Sequence, residues 1–451
     1  MDEAANRTTR TSWVRQRGDL LAVLALIIAS FVFVADQVAE HEMLSPIDEY
    51  QYIGYYADVA DKGVVRQGSQ MPYYARKYMV CHGVRAVAGM EKNPAACKKP
   101  NSIDYVIAGG TTADLYAPFY FITTRVMAQP FIWAGVDFVD AGRMAGGFWL
   151  SLGAVFLFLT LRRARVPVTV ALGLGLVLVG SLPAYWGTTY ISTDATALAS
   201  GSVAAWLTLR ALDGKRWTLL ILPVVATFAT LCKLQNLIAF GAAALVLLVA
   251  AAIGATKEHR GFGARAKAFL LDRRTLSAVA VVGASVLAQG GWLAIRSALA
   301  VGPSPALGVP VPLVFENLVV ETGNFFPAIA QGAMVTWATG AESLPVYLVG
   351  TTLAIGGAAG LAMSKGVTAQ HRVIGFSTVL VTVLAAPALA IALGAVSGLY
   401  TPFPSRYGNS MFPWALICAG LLMDTERRWA RYLVLALGAA TWALSLMLGE
   451  A

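Results

Sequence analysis

The chain is predicted to be an all-α polytopic membrane protein, with about eleven transmembrane helices and a long first extracytoplasmic loop. Three observations predict it. Of 451 residues, 57% are hydrophobic and only 13% are charged, where a soluble domain carries about 25% charged residues. The apolar residues come in runs of about 16 to 25, long enough to cross a bilayer. Basic residues gather in the short segments between runs, as in loops that stay inside. The formal net charge of +9 therefore sets topology, and no nucleic-acid partner is expected.

Arg7, Arg10, Arg15 and Arg17 precede the first apolar stretch. The arrangement resembles a signal peptide, but the stretch is long and no small-x-small cleavage site follows. An uncleaved signal anchor with a cytoplasmic N-terminus is expected. The first span, residues 19–37, runs outward into residues 38–141, the first extracytoplasmic loop. The middle of that loop is polar. Its end, 114–135, is half-apolar, contains Pro118, Pro130 and Arg125, and is expected to lie along the outer interface rather than to span. Were it a span, Arg162, Arg163 and Arg165 would face outward, along with every later basic cluster, against the positive-inside rule.

The remaining spans are expected at 143–161, 167–184, 194–211, 217–233, 236–254, 275–299, 345–363, 373–396, 408–423 and 430–449. All five inner loops are then basic. The turn at 233–236 is the shortest, and losing it would invert everything downstream. A second large outer loop, 300–345, is rich in Pro and Gly and carries Glu316, Glu321 and Glu342. The whole of 1–451 reads as one transmembrane catalytic domain without internal repeats, and no soluble domain is expected after the last span.

Cys232 and Cys418 lie in apolar runs, whereas Cys81 and Cys97 share the first outer loop. Outside the cytoplasm these two are expected either to form a disulfide or to remain as two thiols.

Just past the first span stands Ser45-Pro46-Ile47-Asp48-Glu49. Ser at the N-cap, Pro at the first helical position and an acid two residues later would make an ordinary helix start. That account leaves Glu49 unexplained, and with it the series Tyr50, Tyr52, Tyr55, Tyr56, which suits an interface or sugar stacking.

An acidic pair in the first outer loop resembles the signature of the C-type (GT-C) glycosyltransferases, integral membrane enzymes that use polyprenyl-phosphate sugars. Other parts match in order. The segment Asp114 to Tyr120 resembles the family's interfacial helix. Arg143 with Leu161-Arg162-Arg163 resembles its second span, and Leu231-Cys232-Lys233 its "LTK" element. Ser405-Arg406-Tyr407 followed by Pro413 resembles the "GRY…P" ending of one bacterial branch, which also carries a "P-x-D-E" motif in its first outer loop. Ser405 stands where that branch has Gly.

The resemblance implies sugar transfer from a polyprenyl-phosphate donor to a glycan, lipid or protein acceptor outside the cytoplasmic (inner) membrane. Such a reaction needs a carboxylate to take the acceptor proton and cations to stabilise the leaving phosphate. Asp48 is expected to be the base and Glu49 a support or second acid. Lys233, Arg296 and Arg406 each sit at an outer span end, against the topological bias. They are expected to bind the phosphate, unless they merely snorkel to lipid headgroups. Asp194 begins a span and is either a first-turn acid or a second acidic group facing the site. Tyr407 joins the substrate contacts through the motif. No cofactor is required. His41 and Glu42 lack compelling ligand spacing, so metal dependence stays open. The alternative function is a lipid or lipid-linked sugar flippase, which would show paired repeats and mid-membrane charges.

Overall fold

The structure, a computed structural model, describes residues 2–85, 87, 89–98, 110–303, 312–333, 343–397, 403–423 and 427–448. Glu342 and part of the 300–345 loop lie outside the described residues.

Nearly all of the described chain is helical. Helix α1 (Asp2–Glu40) contains the first expected span. The long segment between the first two expected spans, expected to be an outer loop, folds into α2 (Glu49–Lys62), α3 (Tyr73–His82) and α4 (Pro94–Lys98). A short 3-10 turn, Ala113–Leu115, then leads to α5 (Phe119–Trp133). The bundle continues with α6 (Phe138–Met144), α7 (Gly146–Arg163), α8 (Val168–Val179), α9 (Leu182–Thr188), α10 (Ala195–Leu212) and α11 (Trp217–Cys232). It goes on through α12 (Leu237–Glu258), α13 (Phe262–Leu271) and α14 (Arg273–Ala298). Last come α15 (Phe315–Ala328), α16 (Ser343–Met363), α17 (Ala369–Ser397), α18 (Phe412–Leu422) and α19 (Arg428–Ser445).

A helix covers each of the eleven expected spans, so the apolar runs located the elements well. The count of crossings is another matter. Among the described residues, six helices are long and apolar enough to cross by themselves, and a seventh crossing is possible if α8 and α9, bent by 51°, form one span. Helices α11 and α18, of 16 and 11 residues, are short for a 30 Å hydrocarbon layer. Helices α10 and α19 have 18 residues each and carry Arg210, and Arg428 with Arg431. A multi-pass membrane protein is what these elements build; eleven crossings is more than length and apolarity alone support.

The bundle is held by pairs such as α7 on α10, α8 on α19, α11 on α14 and α16 on α18. Small residues allow close approach. A Cβ on Gly438 of α19 would meet the Gly173 carbonyl oxygen of α8 at 2.1 Å, so only glycine fits that crossing. A second apolar cluster sits under the outer loop, around Tyr52, Tyr55, Tyr56, Met79, Phe121 and Trp149. Helix α5 packs against α2 and α6. Phe119, Ile122, Val126 and Trp133 nevertheless remain exposed along one stripe, the pattern of a helix lying on a bilayer surface.

Cys81 and Cys97 are joined in a disulfide that ties α3 to α4, with Cα atoms 4.8 Å apart. The bridge closes a loop of 16 residues, for which the chain-entropy model gives about 3 kcal/mol. Replacing both cysteines by serine is therefore expected to loosen 81–98 while the bundle stays folded. Limited proteolysis should cut that segment faster in the variant, and equal cutting rates would remove the stabilising role.

Candidate active site

The connector from α1 to α2 decides where the acidic pair points. Ser45 does not cap a helix begun at Pro46. Its Oγ instead accepts from the Ile47 amide at 3.0 Å, and the helix begins at Glu49. Asp48 occupies the N-cap with φ 63° and ψ −3°, and its side chain makes no cap hydrogen bond. This left-handed conformation disfavours most side chains by roughly 1–2 kcal/mol, although Asp and Asn adopt it most readily. Its carbonyl accepts from the Gln51 and Tyr52 amides at 2.8 and 3.0 Å, which holds the turn. The carboxylate is thereby free to leave its own helix.

It meets Arg406, on the 3-10 segment Ser405–Met411 that precedes α18. Arg406 Nη2 donates to Asp48 Oδ2 at 2.7 Å, and Tyr52 Oη lies 3.5 Å from the same oxygen. Arg406 Nε stands 3.6 Å from Asp194 Oδ2, too far to bond, and this buried N–H has no hydrogen-bond partner. Lys233 Nζ bonds to the other Asp194 oxygen. The ring of Tyr407 lies 5.5 Å from Lys233 Nζ and 6.0 Å from the Arg406 guanidinium carbon. Five of the residues singled out from sequence (Asp48, Asp194, Lys233, Arg406 and Tyr407) thus form one cluster, from four distant chain segments.

Local chain geometry explains the convergence. Lys233 is an extended residue, φ −159°, at the break between α11 and the 3-10 turn Leu234–Asn236. The break ends helical backbone there and aims the ammonium at the start of α10. Side-chain exposure falls from 35% at Asp48 through 15% at Arg406 to 4% at Asp194 and 2% at Lys233, so the cluster opens to solvent through Asp48. Two acids and two cations balance. Burial works against charge on Arg406, but Asp48 and Asp194 outweigh it and raise its pKa, so it stays a cation. Burial, with Tyr116 and Asp48 nearby, raises the Tyr52 pKa, which keeps its hydroxyl a donor.

Two of the expected site residues stand outside this cluster. Glu49 does not share the cluster. It is fully buried, and Arg143 grips it with Nε to Oε1 at 2.9 Å and Nη2 to Oε2 at 3.0 Å. The Ser45 and Ile191 amides donate to it at 2.9 and 3.0 Å. Four donors occupy its two oxygens, and through them Glu49 anchors the connector that presents Asp48. Arg143 completes the anchor by donating to the His41 and Met43 carbonyls at 3.0 and 2.9 Å. Arg296 likewise does not reach the Asp48 cluster's ion pairs. It pairs with the buried Asp114 at 2.6 Å, two residues before Tyr116, whose ring meets Tyr52 edge-on at 5.4 Å. Sequence reading noticed Arg143 and Asp114 as motif residues without seeing them as ion-pair partners. The signal available was a lone Arg or Asp at the edge of an apolar run, which names no partner.

His41 stacks on Tyr190 at 4.1 Å and lies 3.1 Å from the Thr189 hydroxyl. Among the described residues, no group of three His, Cys, Asp or Glu side chains is placed to hold a metal ion.

No protein-family profile and no curated protein matches the chain. Among solved structures, ArnT from Cupriavidus metallidurans, in the apo state, is similar with a TM-score of 0.50 and 16% identity. The match covers 94% of this chain and 62% of the ArnT chain. It assigns the chain a GT-C-type fold.

Proposed function

We propose that the protein is a glycosyltransferase that takes a sugar from a polyprenyl-phosphate donor and passes it to an acceptor hydroxyl outside the inner membrane. The observation that carries this reading is the cluster itself: an accessible carboxylate beside two cations, one of which keeps a buried N–H without a hydrogen-bond partner. A fold of the GT-C type adds support.

On this reading the acceptor oxygen attacks the anomeric carbon, and the bond from that carbon to the phosphate oxygen breaks. Asp48 takes the acceptor proton, and the electron pair leaves with the polyprenyl phosphate. Arg406 and Lys233 stabilise the charge that gathers on the leaving group. Arg406 has a dual position. Without donor it neutralises Asp48. A phosphate would draw the guanidinium toward itself, since its Nε can still donate, and would release the carboxylate to act as base. Asp194 holds both cations in place, and Tyr407 lies beneath them. The flippase alternative draws less support: the charged groups of the cluster lie at helix ends and converge on one partly exposed acid, Asp48.

The test uses purified protein in nanodiscs, undecaprenyl phosphate as probe and undecaprenol as its uncharged control. The wild type is expected to prefer the phosphate, and Arg406→Gln to lose about tenfold or more of that preference, because a charge-assisted bond contributes roughly 1.5–3 kcal/mol. Equal affinity of both proteins for the two lipids would overturn the assignment of Arg406.

A further inference from the structure

The end of the bundle remote from the Asp48 cluster carries a second concentration of cations. Helix α12 begins just after Lys233 and the turn that follows it, and its 22 residues carry it about 33 Å away, to Glu258. Helix α14 packs against it and returns from Arg273 to Ala298. Both are long and apolar enough to cross a membrane. The connection between them, which contains α13, is therefore held at the membrane surface.

That connection is basic, with Lys257, Arg260, Arg265, Lys267, Arg273 and Arg274 against Glu258 and Asp272. Helix α13 has no buried residue. Its apolar side chains Phe262, Ala266, Phe269 and Leu270 recur at i, i+4, i+7 and i+8, on one face, with Arg265 and Lys267 at its flanks. A helix of this kind rests on charged headgroups.

At its foot, the ends of α10, α12, α14 and α17 enclose a groove of about 240 Å³. Helix α12 lines it with Val246, Ala250, Ile253 and Lys257. The spacing puts these four in one stripe, roughly 16 Å long, apolar at three positions and cationic at the last. Arg274 is the second cation in the lining. Asp272 accepts from its Nε and Nη2 at 3.0 and 2.7 Å. A Cβ on Gly254 would lie 3.1 Å from that Nη2, so the glycine gives the guanidinium room against α12. Ile253 is exposed, and an exposed apolar side chain on a spanning helix faces lipid. The groove thus opens sideways to the bilayer.

An apolar stripe that faces lipid and ends in two cations matches an amphiphile with an anionic head. Basic pockets between spanning helices bind lipid headgroups in this way. We propose that the groove seats an anionic phospholipid of the bilayer, with its phosphate at Lys257 and Arg274 and an acyl chain along Val246, Ala250 and Ile253. The proposal stands on the membrane-spanning fold and does not depend on the transferase reading.

The test measures lipid retained by the full chain in native mass spectrometry, from detergent micelles that hold equal amounts of phosphatidylglycerol and phosphatidylcholine. The wild type is expected to retain phosphatidylglycerol in preference. The double variant Lys257→Gln with Arg274→Gln should lower that preference by about tenfold or more, and Lys257→Arg should keep it. Ala250→Phe, which fills the groove and leaves both cations in place, should lower it as well. Equal retention of the two lipids by the wild type, or a preference that survives the double variant, overturns the site. A preference lost in the double variant but kept in Ala250→Phe overturns the seated lipid, because attraction to the charged surface then explains it. Displacement of phosphatidylglycerol by an equal amount of undecaprenyl phosphate, or by inorganic phosphate at constant ionic strength, assigns the groove to another anion and overturns it too.

Discussion

Asp48→Asn is expected to lower sugar transfer by about 10²–10⁴-fold, the usual contribution of a positioned general base, without unfolding the protein. The substitution isolates the chemistry. Asn tolerates the left-handed backbone of position 48 nearly as well as Asp. Its amide oxygen can still accept from Arg406, which preserves the 2.7 Å contact in neutral form. What disappears is the capacity to take a proton. The measurement is transfer of radiolabelled sugar from polyprenyl-phosphate donors to cell-envelope acceptors, alongside thermal unfolding of the purified variant. A folded variant with unimpaired transfer would end the assignment of Asp48 as base. Asp48→Ala is a poorer choice, because alanine at positive φ adds backbone strain to the loss of the acid.

Glu49→Gln is expected to act in the opposite manner, through stability. It leaves the guanidinium of Arg143, 1% exposed, without its buried anion, and only the longer 3.3 Å pairing with the partly exposed Asp140 remains. Breaking a buried ion pair from one side costs roughly 3–5 kcal/mol, so the thermal midpoint should fall by several degrees and the yield of folded protein with it. The double variant Glu49→Gln with Arg143→Met should recover part of that loss, since no buried charge is then left unpaired. If Glu49 took part directly in catalysis, the single variant would instead be as stable as the wild type and inactive. Thermal unfolding and transfer assays on the same preparations separate the two outcomes. The difference between these adjacent acids comes from one backbone torsion: positive φ at Asp48 sends its side chain toward Arg406, whereas Glu49, in the first turn of α2, points into the Arg143 pocket.

Neighbouring identity in the chain therefore did not say which of two adjacent acids faces the cluster, nor did the position of Arg296 at a helix end say which acid it meets. An Arg at an outer helix end has a reach of several ångströms in any direction, and α14 happens to present Arg296 to Asp114. Lys233 and Arg406 were read by the same rule and do meet at one acid. The rule found cations held against the topological bias but could not say what each one faces.

Hydropathy by itself determined a helical, multi-pass membrane protein and the positions of the apolar helices. These properties follow from the transfer energy of side chains into lipid, which is summed along the chain and needs no partner. Only the tertiary structure decided which of the polar residues share a site, because the energy of a buried charge depends on what lies within a few ångströms of it. Asp48, Asp194, Lys233 and Arg406 span more than 350 positions of sequence (|i−j| = 358 between the first and last), and helix packing alone brings them within ion-pair distance.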